Sequence, residues 1–410
     1  MITLTYSYKL KLKRHQKQEI EKILDVCKSV YNFALRERKD WLNSRSKSVN
    51  SCSIVSEYII PADIPYPNYN NQAKNLTIAK KNNPHLTSVN AQVLQQTLKT
   101  LDRAFSDMKA KGFGFPRFKK KMRSLVFPQM LKNCLVQGKI KLPQLGWLKI
   151  RQSRDYPIGF EVKQARIVKK ASGYYVMLSF QNSKEYHQML VGKKSLGIDA
   201  GIESFIATSL GELIKAPQFL RCKLRELKLL QRKLKRKVKG SNSWLKLQKK
   251  IALLYEKISN TRRDWHFKLA HKLCNLGDNI FVEDINFKSW SKGLFCKQSL
   301  DSGIGQFINE ILPFVCWKRG KFYLKVDKNY TSQTCPNCGE HTGKKKLSER
   351  IHHCPHCNYT EQRDVASAKV IRDRGLMAVG HTVNYKIAGG DGLTGNFVQL
   401  NLFEVLVKSH

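Results

Sequence analysis

Two cysteine pairs constrain this chain more tightly than anything else in it. Cys335-Pro336-Asn337-Cys338 and Cys354-Pro355-His356-Cys357 are Cys-x-x-Cys knuckles separated by fifteen residues, a spacing that lets four thiolates close on one tetrahedral zinc ion. A redox pair is the alternative reading, but paired knuckles fill all four ligand positions. With Cys335, Cys338, Cys354 and Cys357 bound, no coordination position stays open, so a structural zinc ion is expected. His341, His352, His353 and His356 lie close by in sequence and have no necessary ligand role. The chain holds eleven cysteines, an odd number that argues against a complete disulfide framework.

Charge narrows the class of partner. Lysine and arginine outnumber aspartate and glutamate 74 to 31, a net charge of +43 in 410 residues. Such a chain repels itself unless a polyanion neutralises it, and nucleic acid is the expected partner. Hydrophobic residues make up 41%, which excludes the composition of a disordered protein and leaves room for roughly two to four domains. No apolar run approaches the ~18 residues that cross a bilayer, and Met1-Ile2-Thr3-Leu4-Thr5-Tyr6 lacks the layout of a signal peptide. An intracellular protein without a membrane partner is expected.

Periodicity divides the chain. Residues 1–12 alternate as a strand, and Gln16 to Arg38 takes up helical spacing through Ile20, Ile23, Leu24, Cys27, Val30, Tyr31, Phe33 and Leu35. Pro61 to Asn75 reads as a loop, Thr87 to Lys109 as a helix. Short alternating runs from Ser124 to Gln181 predict a small barrel or sheet with which the first strand can pair. Arg221 to Lys237 and Ser243 to Leu273 read as a basic helical hairpin around the turn Lys239-Gly240-Ser241-Asn242, its seam drawn from Leu224, Leu227, Leu230, Leu234, Leu247, Ile251, Leu254 and Ile258.

Two basic segments are candidate nucleic-acid contacts. Gly112 to Lys121 interleaves aromatics, glycines and cations, with Arg117, Lys119, Lys120 and Lys121 placed to meet phosphates. The hairpin offers Arg232, Lys235, Arg236, Lys237, Lys249, Lys250, Arg262 and Arg263.

Three acids stand where charge is costly or structurally marked. Asp199 lies inside the apolar run Leu196-Gly197-Ile198-Asp199-Ala200, with no cation between Ser195 and Leu213; an ionised group there must be paired, hydrogen-bonded or metal-bound. Glu283 and Asp284 end the strand-like Asn279-Ile280-Phe281-Val282, and alternation lets only one of them face a given side. Asp364 opens a helix-like segment with small residues Ala366, Ser367 and Ala368. Singly, a turn acid, a strand-end acid and a helix cap are all ordinary. In this order they match the plan of integrase-like or RNase H-type nucleases, whose carboxylates hold two Mg²⁺ ions about 3.5–4 Å apart.

The chain resembles the TnpB proteins of insertion sequences, RNA-guided DNA endonucleases related to the type V CRISPR effectors. The resemblance spans nearly the whole chain and rests on Gly197-Ile198-Asp199, Val282-Glu283-Asp284-Ile285-Asn286, Thr331-Ser332-Gln333-Thr334-Cys335-Pro336-Asn337-Cys338-Gly339, the second knuckle and Arg363-Asp364-Val365-Ala366. It departs at Ala366-Ser367-Ala368-Lys369, where many relatives carry an asparagine and alanines.

The resemblance implies an α+β multidomain protein: an N-terminal wedge-type β-barrel with a helical recognition insertion, then a RuvC-like (RNase H fold) α/β nuclease domain with an inserted zinc ribbon. The boundaries read from pattern fit it: 1–12 first wedge strand, 13–110 recognition insertion, 111–190 wedge barrel, 191–328 first nuclease part with the hairpin at 221–275, 329–360 zinc ribbon, 361–380 second nuclease part. A tail at 381–410 carries no readable motif and is expected to be mobile. Metal binding falls to Asp199, Glu283 and Asp364, which selects Glu283 over Asp284. Gln95 to Arg103 and Gly114 to Lys121 correspond to segments similar to the family's nucleic-acid-facing region. The implied cofactors are Mg²⁺ and structural Zn²⁺, the partners a guide RNA from the transposon end and double-stranded target DNA, the setting a prokaryotic cytoplasm.

Two rivals are a nuclease-silent DNA-binding accessory of transposition and a guide-independent transposase. The intact acids oppose the first. A guide-free enzyme must read its own target, and no helix-turn-helix is read in the sequence to do so.

Overall fold

The computed structural model describes residues 2–46, 60–61, 63–182, 191–290, 292–293, 295–346, 348–381 and 383. The chain divides into two units, 1–186 and 187–410. Apart from His381 and Val383, the tail expected at 381–410 lies outside the described residues.

The first unit begins with β1 (Ile2–Lys11), which buries Leu4, Tyr8 and Leu10 on one face. Its partners come from beyond a helical insertion of α1 (Arg14–Ser46), α2 (Tyr69–Asn82), α3 (Pro84–Thr87) and α4 (Ala91–Lys111). The remaining strands are β2 (Ser124–Phe127), β3 (Leu135–Val136), β4 (Lys139–Leu142), β5 (Gly146–Arg151), β6 (Glu161–Lys170) and β7 (Gly173–Asn182). They form one antiparallel sheet in the order β2-β6-β7-β1-β5-β4-β3. The first strand therefore sits between β7 and β5, with Leu4 opposite Phe180 and Leu10 opposite Ile150.

Helices α1 and α4 pack through Ile20, Leu24, Cys27, Tyr31 and Leu35 on one side and Val93, Leu94, Leu98 and Leu101 on the other, whereas Phe33, expected in the same stripe, lies off the buried face and is exposed. A cation is buried among them. The Arg38 guanidinium donates to Gln72 Oε1 and Asp102 Oδ1, each at 3.0 Å, and stands 5.1 Å from the Phe105 ring centroid. The loop expected from Pro61 to Asn75 ends early, because α2 starts at Tyr69 with the Asn68 side chain capping the Asn71 N–H. Its only buried residue is Gln72, so no apolar stripe announced it. The single helix expected over Thr87 to Lys109 is two, interrupted where Asn90 caps α4.

The second unit centres on β8 (Ser195–Ala200), β9 (Ile206–Thr208), β10 (Leu213–Ile214), β11 (Asn279–Glu283) and β12 (Phe322–Val326). Their order is β10-β9-β8-β11-β12: β8, β11 and β12 run parallel, while β9 and β10 fold back as an antiparallel hairpin. Between β10 and β11 come α5 (Leu224–Lys235) and α6 (Asn242–Leu276), and between β11 and β12 come α7 (Phe287–Trp290), α8 (Cys296–Ser302), α9 (Ile304–Gln306), a π-helical turn over Phe307–Ile311 and α10 (Leu312–Lys318). Pro313, which has no N–H for the helical ladder, lies two residues beyond that turn, in the first turn of α10.

Strand alternation splits the sheet's two faces. Leu196, Ile198, Ile280 and Val282 join the core shared with Leu269, Leu273, Phe307 and Leu312. The opposite face carries Gly197, Asp199, Phe281, Glu283 and Val326 and is covered by α11 (Arg363–Ala378). Burial along the basic hairpin is narrower than the expected seam: Leu227, Leu254 and Ile258 are buried with Phe219, whereas Leu224, Leu230, Leu234, Leu247 and Ile251 are only partly covered. Between β12 and α11 lie the cysteine knuckles and a short hairpin of β13 (Ile351–His353) and β14 (Thr360–Gln362).

Candidate functional site

The parallel register Phe281↔Gly197 and Val282↔Ile198 continues by one residue to set Glu283 beside Asp199, on the same face at the carboxyl ends of their strands. Asp364 reaches that face from α11. Two contacts bring the helix down onto the sheet. A Cβ on Gly197 would lie 2.0 Å from the Ala368 carbonyl oxygen, and one on Gly375 would lie 2.1 Å from the Phe281 ring. Only glycines permit that approach, and the buried Ala366, Ser367 and Ala368 complete it.

Each acid departs from its bland alternative. Asp199 lies within a strand rather than at a turn, half-buried, and accepts from the Ala200 N–H. Glu283 is buried, whereas Asp284 turns outward to an ion pair with Lys325 at 3.1 Å. Asp364 is not the helix cap: the Gln362 side chain accepts from the Val365 N–H at 2.8 Å, leaving the Asp364 carboxylate in the first turn. The Asp199 carboxyl is pushed well above its ordinary range, first by burial and then by the negative charges of Glu283 and Asp364, against a lesser pull from Arg363. Glu283 is raised by burial too, opposed by a hydrogen bond from the Thr331 hydroxyl and by the charges of Arg374 and Lys328.

Like charges gathered at the end of a parallel sheet suit a hard divalent cation, which carboxylate oxygens bind well. Thr331 is a functional residue that sequence pattern does not single out; its signal is its place at the head of the knuckle motif, where it is buried against Glu283.

The four cysteines meet. All four Sγ atoms lie within 4.8 Å of one another, with Cys335–Cys357 at 3.7 Å and Cys338–Cys354 at 3.6 Å. Tetrahedral Zn–S bonds of ~2.3 Å require Sγ separations of ~3.8 Å, so this set could hold zinc. The Asn337 amide donates to Cys357 Sγ at 3.4 Å and is the leading cause of that thiol falling to about 6, while burial raises the Cys335 and Cys338 thiols. The cluster is tied to the acids through the chain itself. Cys335 follows Thr331 by four residues, and β14 runs straight into α11. The loop between the knuckles is tied to its surroundings: Arg363 of α11 donates to the Lys346 carbonyl at 2.9 Å, and Arg350 pairs with Glu203.

The predicted nucleic-acid contacts are mostly exposed. Arg117, Lys119, Lys120 and Lys121 lie on the surface, the Lys119 backbone fastened to Asn32 in both directions at 2.8 and 3.0 Å. Arg232, Lys235, Arg236, Lys237, Lys249 and Lys250 are exposed, and Arg263 is exposed over the Phe267 ring. Arg262 is turned to another task, donating to the carbonyls of Leu300 and Asp301 at 2.7 and 3.1 Å at the end of α8. Among the described residues no helix is long and apolar enough to cross a membrane.

These features define an α+β protein with a mixed five-stranded sheet, a clustered acid set and a Cys₄ cluster. The same architecture occurs in the Cas12f1 chain solved by cryo-EM in a Cas12f1–sgRNA–target DNA complex, with a TM-score of 0.54 at 14% identity over 90% of this chain and 98% of that one. Residues 180–292 match the OrfB IS605 family described as a probable transposase, and residues 306–371 match the Cas12f1-like TNB domain. The chain is similar to the OrfB IS605 family over the first of these spans and to the Cas12f1-like TNB domain over the second. It is 28% identical over 399 residues to InsQ of Escherichia coli (strain K12), covering 92% of each chain, and 26% identical over 381 residues to a protein of Streptomyces pristinaespiralis, covering 91% and 89%; both are named as RNA-guided DNA endonucleases. Residues 1–47 match a family described as a helix-turn-helix domain, yet the described part of that span is one strand and one continuous 33-residue helix.

Proposed function

We propose that this chain is an RNA-guided DNA endonuclease that hydrolyses phosphodiester bonds at Asp199, Glu283 and Asp364. One observation carries the reading: three acids from two neighbouring strands and the helix above them share one face, and Asp199 and Glu283 are both raised in pKa. Such a grouping destabilises the fold unless a multivalent cation neutralises it. Mg²⁺, in a one- or two-ion arrangement on these carboxylates, would supply an activated water and charge stabilisation at the leaving oxygen.

The chain's own residues prepare that centre. Thr331 orients Glu283 by hydrogen bonding, Gln362 caps α11 so that Asp364 stays available, and Arg363 limits the repulsion on Asp199. The β10-β9-β8-β11-β12 order, an antiparallel hairpin joined to a parallel pair, supports the RuvC-like (RNase H-type) assignment, split as 191–328 and 361–380 around a zinc ribbon at 329–360. The seven-stranded sheet supports a wedge-type barrel built from 1–12 and 111–190, interrupted by a recognition insertion at 13–110. A guide RNA would read the target by base pairing while lysines and arginines hold phosphates without reading sequence.

Purifying the protein with its flanking DNA, sequencing bound RNA and assaying cleavage with Mg²⁺ tests this. Absence of bound RNA removes the guide; an Asp199→Ala variant that cuts like the parent removes the carboxylate centre.

A further inference from the structure

A row of like charges crosses the first unit's sheet. Register sets Lys11 opposite Lys149, and Lys149 opposite Lys139, so three lysines stand side by side on adjacent strands β1, β5 and β4. The next pairs on the same face are Lys9 with Arg151 and Lys141 with Trp147. The alternate residues Leu10, Ile140, Leu148 and Ile150 are buried, so the cationic face is the outer one.

Directly opposed like charges weaken a sheet. Among the described residues none of the three lysines makes an ion pair. A face of this kind is stable in company with a polyanion.

Beside the row stands Trp147, with 44% of its surface exposed. Gln16 fixes its backbone by donating to the Trp147 carbonyl at 3.1 Å, and the Lys13 N–H fixes Gln16 in turn at 3.1 Å. Together these residues line a cleft of about 350 Å³, at the small end of ligand-sized cavities. An anchored, half-exposed indole among lysines offers a stacking platform with phosphate sites around it, the combination that holds unpaired nucleotides.

We propose that this outer face binds an unpaired stretch of RNA, one base stacked on Trp147 and the flanking phosphates on Lys11, Lys139 and Lys149. The inference rests on the proposed use of RNA. RNA is favoured over DNA because a folded RNA displays unpaired bases in loops and bulges without further work, whereas duplex DNA must first be unstacked.

The test uses the full chain stripped of nucleic acid, with fluorescence anisotropy against an RNA hairpin carrying a long unpaired loop. The other arms are a blunt RNA duplex and single-stranded DNA of the loop sequence. Trp147→Ala should weaken loop RNA about tenfold, leave blunt duplex unchanged, and be largely restored by Trp147→Phe. Combined Lys139→Gln and Lys149→Gln should reduce the slope of log affinity against log salt by about 1.4. Unaltered thermal melts establish that these surface variants are folded. The site is overturned if the parent binds loop RNA and the variants match it, if loop and blunt duplex weaken equally in Trp147→Ala, or if only DNA binding is lost. A parent chain that binds no RNA overturns the guided reading as well, and is thereby distinguished from failure of this site alone.

Discussion

The hydroxyl of Thr331 donates a hydrogen bond to the carboxylate of Glu283, and both residues are buried. Thr331 begins the short turn that leads into the first cysteine knuckle, so the segment that starts the Cys₄ cluster also orients an acid of the proposed centre. Thr331→Val keeps the shape and removes the donor. A hydrogen bond to a charged group is worth ~1.5–3 kcal/mol, so cleavage should fall about ten- to a hundredfold and need more Mg²⁺. Thr331→Ser should restore both. Loss of activity in Thr331→Ser as well would assign the residue to packing alone.

Asp199→Asn separates stability from activity. The parent's Asp199 is raised by burial and by its acidic neighbours, so neutralising it in metal-free protein should raise the Tm by about 2–4 °C for each kcal/mol of repulsion relieved. Cleavage should drop more than about a hundredfold, since groups one layer further from a metal already contribute ten- to a hundredfold. Calorimetry with added Mg²⁺ provides the check. The parent should gain about 2.7 kcal/mol at a hundred times Kd, and the variant little.

What was legible in the sequence was whatever depends on local pattern. Alternation placed an acid among apolar residues at Asp199 and made Glu283 and Asp284 face opposite ways, and the structure turns Asp284 to Lys325. The pairing of β1 with later strands followed from its alternation too. Tertiary contacts were not legible. Gly197 and Gly375 are revealed as contact points only by the helix above the sheet. Helix α2 buries only Gln72 and so lacks an amphipathic signature. Arg262 resembles its basic neighbours in sequence but spends its donors on α8 carbonyls.

Zinc removal should act locally. Structural zinc contributes folding energy directly, and among the described residues the second knuckle is framed by the short β13–β14 hairpin and reached from the first by the Asn337 amide on Cys357 Sγ. Cys335→Ser, or chelation, should release about one zinc per chain by elemental analysis. Hydrogen exchange should accelerate across 331–363 while the antiparallel sheet of the first unit stays protected. Uniform acceleration through both units would contradict a local role.

Acid should weaken the second unit through His266. Its imidazole is fully buried against Phe205 and Phe307, one nitrogen 2.9 Å from the Ser302 carbonyl oxygen and the other unpartnered. Burial, aided by the nearby Arg262 charge, pushes it down to about 4 from 6.5. The unfolded chain therefore takes up this proton first, so the stabilisation is complete above pH 6.5 and is lost as pH falls towards 4, by up to about 3 kcal/mol. Denaturant titrations of parent and His266→Phe should diverge over that window, the variant showing the flatter dependence.

The glycine contacts make opposite predictions about rescue. At Gly197 an added methyl meets the backbone oxygen of Ala368 at 2.0 Å and the Arg372 nitrogen at 2.6 Å. Backbone cannot rotate away, so α11 itself must lift, taking Asp364 with it. Gly197→Ala should cost about 3 kcal/mol or more and abolish cleavage. At Gly375 the obstacle is the Phe281 ring at 2.1 Å, a side chain that can be trimmed. Gly375→Ala should destabilise comparably, and Phe281→Leu added to it should recover part of the loss, the non-additivity expected of residues in contact. No comparable side-chain change should rescue Gly197→Ala, because what holds the third acid over the first two there is the packing of helix backbone on strand backbone.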